Sequence, residues 1–380
     1  MLKKIIGGIL GMLIVLAVIF YILNQKSSNE SVSVSPEIQK SAVIATKPMS
    51  RVWMEYTEDI VREKKPTPVE SARLYAYVAT AYGKTLSTTK SSAEASLVAR
   101  EVLNALLPAN REKTDNFFQK NTDPNKDPTI LSSEAEKIKE ELLKRIANDG
   151  FTSVWDGTRP SGDMYWNGEN PFTPLAGTWK RWIVSDADTI IVPPPVVWNS
   201  EIYKKELAVV KKASDERTPE QSSAVNFWGG APGTEAPAGI WQNRFYDETV
   251  EYNLTDEEYS YAQMVLAQTL ADSFMECWKV KYTYWTRRPS MDDTTIDLAM
   301  KNPNFPSYVS GHSTISRAAT EILKTFFPEK SAIWIADAEE AKNSRLWAGI
   351  HFSYDNDEGF ALGEKIGKIA VSRLSLKPLK

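Results

Sequence analysis

The sequence has little of the two residue types that most often hold structural zinc. Its 380 residues include one cysteine, Cys277, and two histidines, His312 and His351. One cysteine excludes a disulfide within the chain, and one thiol with two imidazoles cannot supply the four nitrogen or sulfur ligands of a structural zinc site. Cys277 is therefore interpreted as a small, buried, apolar residue. Calcium or magnesium sites built only from carboxylates stay open.

Clustered positive charge is also lacking. The net charge of −4 is spread along the chain, and no run of lysine or arginine forms a basic stripe. Nucleic acid is therefore not an expected partner. The composition, 42% hydrophobic and 25% charged, is ordinary for a globular protein. The length allows one large domain or two smaller ones.

Long apolar runs are lacking after residue 23. Residues 5–23 form an uncharged apolar stretch that directly follows Lys3 and Lys4, and its length suits one membrane crossing. We favour an uncleaved anchor over a cleaved signal peptide, which has a shorter apolar region and a small-residue cleavage site. The two lysines should stay in the cytoplasm, so the remaining chain is expected outside it, in the cell envelope, or secreted if the segment is cleaved. The predicted division is an N-terminal membrane segment over residues 1–26, a linker over 27–50 and a single domain over 51–380.

Helix-start signals predict that this domain is all-α. Thr67-Pro68-Val69-Glu70 combines a capping threonine, a proline at the first helical position and a glutamate three residues after the cap. Similar patterns recur at Ser91–Glu94, Ser133–Glu136 and Thr218–Gln221. Residues 151–200 lack any apolar period and predict an irregular crossover on a multi-helix bundle.

A glycine repeat marks the last predicted helix, over about residues 355–374. Gly359, Gly363 and Gly367 recur at every fourth position, which places them on one helix face. Because glycine has no side chain, this face would let a neighbouring helix approach closely. With no membrane span here, the repeat predicts tight packing inside the domain.

Two cations open the stretch that carries the chemistry. Lys281 and Arg288 are seven residues apart, or two helical turns, so both can project from one face if a helix lasts that long. Pro289 disfavours α geometry at Arg288, so the helix is expected to end there and to let the guanidinium turn inward. Taken alone, this cluster also fits a solvated basic end of a helix.

The next cluster, Ser310-Gly311-His312, is interpreted as the start of a helix. Unpaired backbone N–H groups and the helix dipole attract anions there. The serine adds a hydroxyl donor, and the glycine lets a ligand come close to the main chain. His312 could then exchange a proton with a group that leaves or attacks. A Ser310–His312 nucleophile pair is the weaker alternative, because residues two apart at a helix start do not naturally face each other.

The third cluster joins a histidine to a carboxylate. His351 and Asp355 are four residues apart, so on a helix the carboxylate can accept from one imidazole nitrogen and leave the other free. Arg345 comes six residues earlier, so a bend near Gly349 is needed if both address one ligand. Three cations, a hydroxyl, two imidazoles and a carboxylate together suggest a site for an oxyanion.

These clusters resemble the three-part signature of the type 2 phosphatidic acid phosphatase (PAP2) and vanadium-dependent haloperoxidase superfamily. The matching motifs are Lys281-x6-Arg288-Pro289, Pro306-Ser-x-x-Ser310-Gly311-His312 and Ser344-Arg345-x5-His351-x3-Asp355, in the same order and with the same spacing. Arg217–Gln221 and the loop Pro232–Trp241 resemble the soluble bacterial haloperoxidase-like branch. The resemblance implies an all-α bundle of the haloperoxidase and acid phosphatase type, with its catalytic signature over residues 278–355.

The resemblance also implies a role for each motif residue. His351 would bind the vanadium of vanadate in a haloperoxidase, or attack phosphorus in a phosphatase. Asp355 would orient His351, and His312 would transfer protons. The phosphate or vanadate would be neutralised and held by Lys281, Arg288, Arg345, Ser310 and the N–H of Gly311.

Two activities follow from this resemblance. The favoured one is a haloperoxidase that holds vanadate as cofactor and oxidises halide with hydrogen peroxide, because Trp278 and Phe305 resemble the residues that line the halide pocket of that branch. The alternative is an acid phosphatase, which needs no cofactor and cleaves phosphoric monoesters, lipid phosphates included, through a phosphohistidine. A third hypothesis is an envelope protein that binds phosphate and does not catalyse a reaction. All three hypotheses imply small-molecule ligands: peroxide and halide, a phosphate ester, or phosphate. In each, the protein contacts the membrane through its N-terminal helix.

Overall fold

The computed structural model describes residues 47–122 and 130–379, which belong to one compact unit. These residues contain α-helices and no β-strand, which confirms the all-α prediction. The twelve helices are α1 (Met49–Lys64), α2 (Pro68–Thr89), α3 (Ser92–Leu106), α4 (Arg111–Asn121), α5 (Ser133–Ala147), α6 (Glu201–Asp215), α7 (Pro219–Phe227), α8 (Ala236–Thr249), α9 (Asp256–Tyr284), α10 (Gly311–Phe326), α11 (Ser331–Trp347) and α12 (Ser353–Arg373).

The membrane segment predicted over residues 5–23 lies outside the described residues. Among the helices that the structure does describe, none combines the length and hydropathy that a membrane crossing requires.

The predicted capping signals are found at the helix starts, with one shift. The Thr67 hydroxyl accepts from the Glu70 N–H, and the Glu70 carboxylate accepts in return from the Thr67 N–H at 2.8 Å. At α5 the cap is Ser132, which accepts from the N–H of Ala135. The prediction that Ser133 caps this helix is wrong by one residue, because adjacent serines offer the same hydroxyl and the sequence does not distinguish them.

The glycine repeat in α12 lies against α10, as predicted. A Cβ atom added to Gly363 would lie 2.0 Å from the carbonyl oxygen of Thr314, and one added to Gly359 would lie 2.6 Å from that of Ser310. Both distances are far below van der Waals contact, so only glycine allows these two helices to pack at this separation. The contact fixes the start of α10 relative to the start of α12.

Residues 151–200 form the irregular crossover that the sequence predicts. A buried carboxylate on α9, Asp272, attaches it to the bundle: its oxygens accept from the backbone N–H groups of Trp182, Ile183 and Val184 at 2.7, 2.7 and 2.8 Å. Burial raises the pKa of Asp272 to about 6. The three N–H donors therefore satisfy a group that would otherwise be costly to bury inside an apolar helix face.

Candidate active site

The helix that carries Lys281 ends before Arg288. Residue Trp285, which follows α9, has a φ of 51°, and its N–H donates to the carbonyl of Lys281. Arg288 lies in extended backbone, with φ −91° and ψ 152°, as expected for a residue before proline. The predicted helix end at Arg288 is wrong by four residues, since the helix ends at Tyr284; Lys281 lies on the helix and Arg288 in the extended segment after it.

Lys281 is fully buried and fastens the segment that leads into α10. Its Nζ atom donates to the carbonyl oxygens of Pro306 at 2.9 Å and Ser307 at 2.6 Å. Burial lowers the pKa of this ammonium group. Nζ also lies 5.1 Å from the centre of the Phe305 ring. The lysine therefore contributes positive charge from directly behind the aromatic wall of the site.

Arg288 is fully buried, and one of its guanidinium nitrogens has no acceptor among the described residues. Nε donates to the carbonyl of Phe305 at 3.1 Å, and Nη1 donates to that of Ile350 at 2.7 Å while lying 3.4 Å from Nε2 of His351. Its Nη2 atom is buried and has no hydrogen-bond partner among the described residues. Burial lowers the pKa of Arg288 to about 10. A buried guanidinium with an unpaired N–H is stabilised by a bound anion.

The start of α10 carries the second motif. The Ser310 hydroxyl caps this helix by accepting from the N–H of Ser313, and the N–H of Ser310 donates to the carbonyl of Asp355 at 2.8 Å. The alternative Ser310–His312 nucleophile pair does not form in the described residues, since Nε2 of His312 lies 2.7 Å from the carbonyl oxygen of Trp228. The carbonyl can only accept, so Nε2 carries the hydrogen and Nδ1 is left to take a proton.

Arg345 lies in the last turn of α11, and the chain bends after it at Gly349, where the sequence predicts a bend that lets Arg345 and His351 address one ligand. Gly349 has a φ of 75°, a conformation that disfavours any side chain. The guanidinium is fully buried and donates to Ser344 Oγ at 2.9 Å, Val225 O at 3.2 Å and Met300 Sδ at 3.3 Å. Burial lowers its pKa to about 9. Neither Arg345 nor Arg288 has a carboxylate partner among the described residues.

His351 and Asp355 form the predicted pair. Nδ1 of His351 lies 2.9 Å from Oδ2 of Asp355. The helix begins at Ser353, two residues earlier than the predicted start near residue 355, and His351 lies two residues before it. The pair forms without a helix between the two residues, because Asp355 in the first turn reaches back and also accepts from the N–H of Phe352. Burial, followed by the charge of Arg288, holds the pKa of His351 well below its usual range. The imidazole is therefore neutral, with its Nε2 lone pair directed away from Asp355.

Ser307 is a site residue that the sequence analysis did not single out. Its hydroxyl donates to Oδ2 of Asp355 and lies 3.3 Å from Nδ1 of His351. Its carbonyl accepts from Lys281. The only signal in the sequence is its position inside the second motif, directly after Pro306. Ser307 joins the lysine to the histidine and aspartate of the third motif.

These groups lie at one cavity of about 510 Å³, which we call the central cavity. Gly311, His312, Arg345 and His351 line it, and the predicted halide-pocket residues Trp278 and Phe305 form its aromatic wall together with Phe172 and Phe274. The Trp278 and Phe305 rings are 4.8 Å apart. Lys281, Arg288, Ser310 and Asp355 are fully buried and adjoin the lining residues. Lys281 and Arg288 lie against Phe305, Asp355 contacts His351, and Ser310 directly precedes Gly311. The structure thus brings every predicted site residue to one place.

Comparisons with known proteins agree with this geometry. Residues 332–377, which include Arg345, His351 and Asp355, match the family model of the VCPO second helical-bundle domain. The crystal structure of the first bacterial vanadium-dependent iodoperoxidase is similar, with a TM-score of 0.74, 18% identity, and coverage of 88% of this chain and 98% of that one. A search of curated proteins found no match.

Two structures of a bacterial vanadium-dependent chloroperoxidase are also similar, each with a TM-score of 0.63. The apo form is 13% identical and covers 84% of this chain and 98% of its own. The holo form is 12% identical and covers 87% and 94%. The chain has the all-helical fold of the vanadium haloperoxidases, and the family-model match confirms the resemblance to the vanadium haloperoxidase and PAP2 superfamily that its motifs predicted.

Proposed function

We propose that this chain is a vanadate-dependent haloperoxidase-like enzyme that oxidises halide with hydrogen peroxide. One observation carries the proposal: Arg345, His312 and His351 line a single cavity, and the rings of Phe172, Phe274, Trp278 and Phe305 line the same cavity. Fixed positive charge favours an oxyanion there, and aromatic rings beside it suit a large polarisable halide better than a hydrated ester. The relatives named above supply the precedent for this fold, and their activity is carried to this chain only as part of the proposal.

The residues present fit a bound vanadate. Among the residues that the structure describes, the buried Nη2 of Arg288 has no acceptor and Nη1 of Arg345 has only a thioether. Both groups are charged, so a tetrahedral anion would supply the oxygen acceptors they lack. The neutral imidazole of His351 offers its Nε2 lone pair, which is the form in which histidine binds a metal. When bound, vanadate would activate hydrogen peroxide towards attack by halide.

The chain's own groups have separate tasks in this proposal. Arg288 and Arg345 hold the anion and balance its charge. Asp355 keeps the hydrogen of His351 on Nδ1 and so keeps Nε2 available. Burial holds the pKa of His312 well below its usual range, so its neutral Nδ1 can accept a proton from hydrogen peroxide. Trp278 and Phe305 exclude water from the side on which halide would approach.

The test compares two reactions of the full purified chain. Bromination of an organic acceptor is measured with bromide and hydrogen peroxide, with and without added orthovanadate. Hydrolysis of p-nitrophenyl phosphate is measured in parallel. We expect bromination that depends on orthovanadate. Rapid ester hydrolysis that orthovanadate inhibits, without bromination, contradicts the proposal.

A phosphatase is the second candidate, and the His351–Asp355 pair favours it. A neutral imidazole whose Nδ1–H donates to a buried carboxylate can attack phosphorus with Nε2. Replacement of His351 by alanine also separates an enzyme from a phosphate-binding protein without turnover, because such a protein would show no catalysis before the change and would keep most of its phosphate affinity after it.

We propose further that residues 51–380 work outside the cytoplasm, attached through residues 1–26 and the linker 27–50. The support is the sequence alone: an apolar run of membrane-crossing length directly after two lysines. Protease added to spheroplasts, which keep only the cytoplasmic membrane, should degrade the domain if it is anchored and lies outside the cytoplasm. A domain that is digested only after lysis contradicts the proposal.

A further inference from the structure

Met300 lies next to Nη1 of Arg345, the guanidinium nitrogen that has the weakest hydrogen-bond acceptor. Its sulfur lies 3.3 Å from Nη1 of Arg345, and the residue lines the central cavity. The other guanidinium nitrogens of Arg345 donate to oxygen atoms of Ser344 and Val225. A thioether is only a weak acceptor. Nη1 is therefore the donor that an oxyanion would recruit, and the thioether lies next to the position that the anion would take.

We propose that Met300 is an oxidation site: oxidant released in the central cavity converts its thioether to a sulfoxide, which weakens anion binding by Arg345. The inference rests on the proposed function for its oxidant, a hypohalous acid. Sulfur attacks the halogen and displaces hydroxide, and water then displaces halide from sulfur. The sum of the two steps is one sulfoxide, one halide ion and one proton. Sulfur loses the two electrons that the halogen gains.

The position of Met300 distinguishes oxidant made in the cavity from oxidant in bulk solvent. Met164 is 48% exposed, whereas Met54 and Met275 are almost completely buried in the core. Oxidation by a bulk reagent follows exposure, so Met164 should react first with added oxidant. Met300 is partly buried and faces the cavity. Oxidant formed at the anion site meets Met300 before it meets Met164.

The consequence follows from the change of acceptor. A sulfoxide oxygen carries more negative charge than a thioether sulfur and accepts a stronger hydrogen bond from a guanidinium. The Met300 sulfoxide would engage Nη1 of Arg345 and occupy space in the cavity. A tetrahedral anion must then displace it in order to bind. Turnover would thus switch the site off gradually, and methionine sulfoxide reductases would restore it.

The experiment uses the full chain under two conditions. In the first, it is loaded with orthovanadate and given bromide and hydrogen peroxide, and bromination is followed in the same samples. In the second, reagent hypobromite is added without vanadate. Peptide mass spectrometry measures the gain of one oxygen at Met300 and Met164 over time. Sulfate binding is measured by calorimetry before and after oxidation, and again after treatment with the reductases.

We expect Met300 to be oxidised before Met164 during turnover, and Met164 to be oxidised at least as early with reagent hypobromite. Once Met300 is oxidised, sulfate should bind about tenfold more weakly, the effect of weakening one charge-assisted hydrogen bond. In Met300→Leu the same treatment should leave the sulfate affinity of that variant unchanged. In Met164→Leu the loss of affinity should persist.

Two results would overturn the inference while leaving the proposed function intact. One is bromination in which Met164 is oxidised first. The other is a Met300 sulfoxide that binds sulfate as well as the thioether does. Absence of bromination overturns the proposed function and, with it, the source of the oxidant. The hypobromite samples then still decide whether a sulfoxide at Met300 weakens anion binding.

Discussion

Nδ1 of His351 lies 2.9 Å from Oδ2 of Asp355, and this contact determines which nitrogen of the imidazole is available for chemistry. The carboxylate is fully buried, and the same oxygen also accepts from Ser307 and Phe352. Because a carboxylate accepts and does not donate, the hydrogen stays on Nδ1 and Nε2 keeps its lone pair. Either activity considered above needs that lone pair.

Asp355→Asn tests this contact. The amide can donate to Nδ1, which would move the hydrogen of His351 to Nε2. We expect orthovanadate affinity and bromination rate each to fall by about 10-fold to 100-fold, the usual cost of losing the partner of a ligating histidine. Sulfate affinity should change less, because it depends on the arginines. Equal losses for vanadate and sulfate would show that the substitution disturbs the whole site.

Ser307→Ala tests the residue that connects the motifs. Burial raises the pKa of the Asp355 carboxyl, and the hydrogen bond that the Ser307 hydroxyl donates to it opposes this rise. Without the hydroxyl, Asp355 keeps its proton to a higher pH, so activity that needs the carboxylate is lost earlier as pH falls. We expect the acidic limb of the kcat/KM profile to move up by about one pH unit, equivalent to one hydrogen bond.

The control for Ser307→Ala is Ser313→Ala. Ser313 is equally buried, and its hydroxyl bonds to Asn356 at 3.2 Å instead of to a motif residue. This variant should lose stability without a shift of the acidic limb. A shift of the same size in both variants would mean that Ser307 has no specific effect on Asp355.

The sequence could predict which side chains meet, because their spacing is tied to local structure. The capping pattern at Thr67 predicts a helix start, and Pro289 predicts the extended backbone of Arg288. The i to i+4 spacing of His351 and Asp355 allows the pair even though the helix starts only at Ser353. Such signals depend on neighbours in the chain, so they can be read without the fold.

The sequence could not predict the backbone groups that hold these side chains. His312 donates to the carbonyl of Trp228, 84 residues away, and Arg345 donates to that of Val225, 120 residues away. Every residue has a carbonyl, so the acceptor leaves no trace in residue type. The contact of Met300 with Arg345 is hidden for a similar reason, since a methionine in a loop usually indicates packing alone.

The pH dependence of anion binding should depend on Arg345. Burial lowers its pKa to about 9, and the anion binds the protonated guanidinium. As pH rises through 9 the free protein loses that proton, so affinity for an anion that does not itself titrate, such as sulfate, falls. In Arg345→Gln this contribution is missing. We expect the ratio of wild-type to variant sulfate affinity, measured by calorimetry, to fall towards one between pH 8 and pH 10.

A constant ratio across that range would mean that the guanidinium stays charged in the buried site. The variant must be folded for the comparison, so its thermal unfolding is measured at each pH. Arg217→Gln is the matched control, because Arg217 donates to Trp347 O and pairs with Asp297 outside the cavity. Its sulfate affinity should follow that of the wild type at every pH.

The glycine repeat of α12 allows stability to be separated from site geometry. A Cβ atom at Gly359 would lie 2.6 Å from the carbonyl oxygen of Ser310, the residue that caps α10, whereas one at Gly367 would lie 2.4 Å from Cβ of Glu321, further along the same helix. Gly359→Ala and Gly367→Ala should each cost about 1–3 kcal/mol of unfolding free energy through overpacking. Only Gly359→Ala forces movement at the anion site, because the backbone of Ser310 leads directly into Gly311 and His312.

We therefore expect the sulfate affinity of Gly359→Ala, measured by calorimetry well below its unfolding temperature, to drop several-fold while that of Gly367→Ala stays within twofold of wild type. If both variants lost affinity equally, the packing of α12 on α10 would affect the site only through overall stability, and the close approach at Gly359 would have no separate part in placing the start of α10.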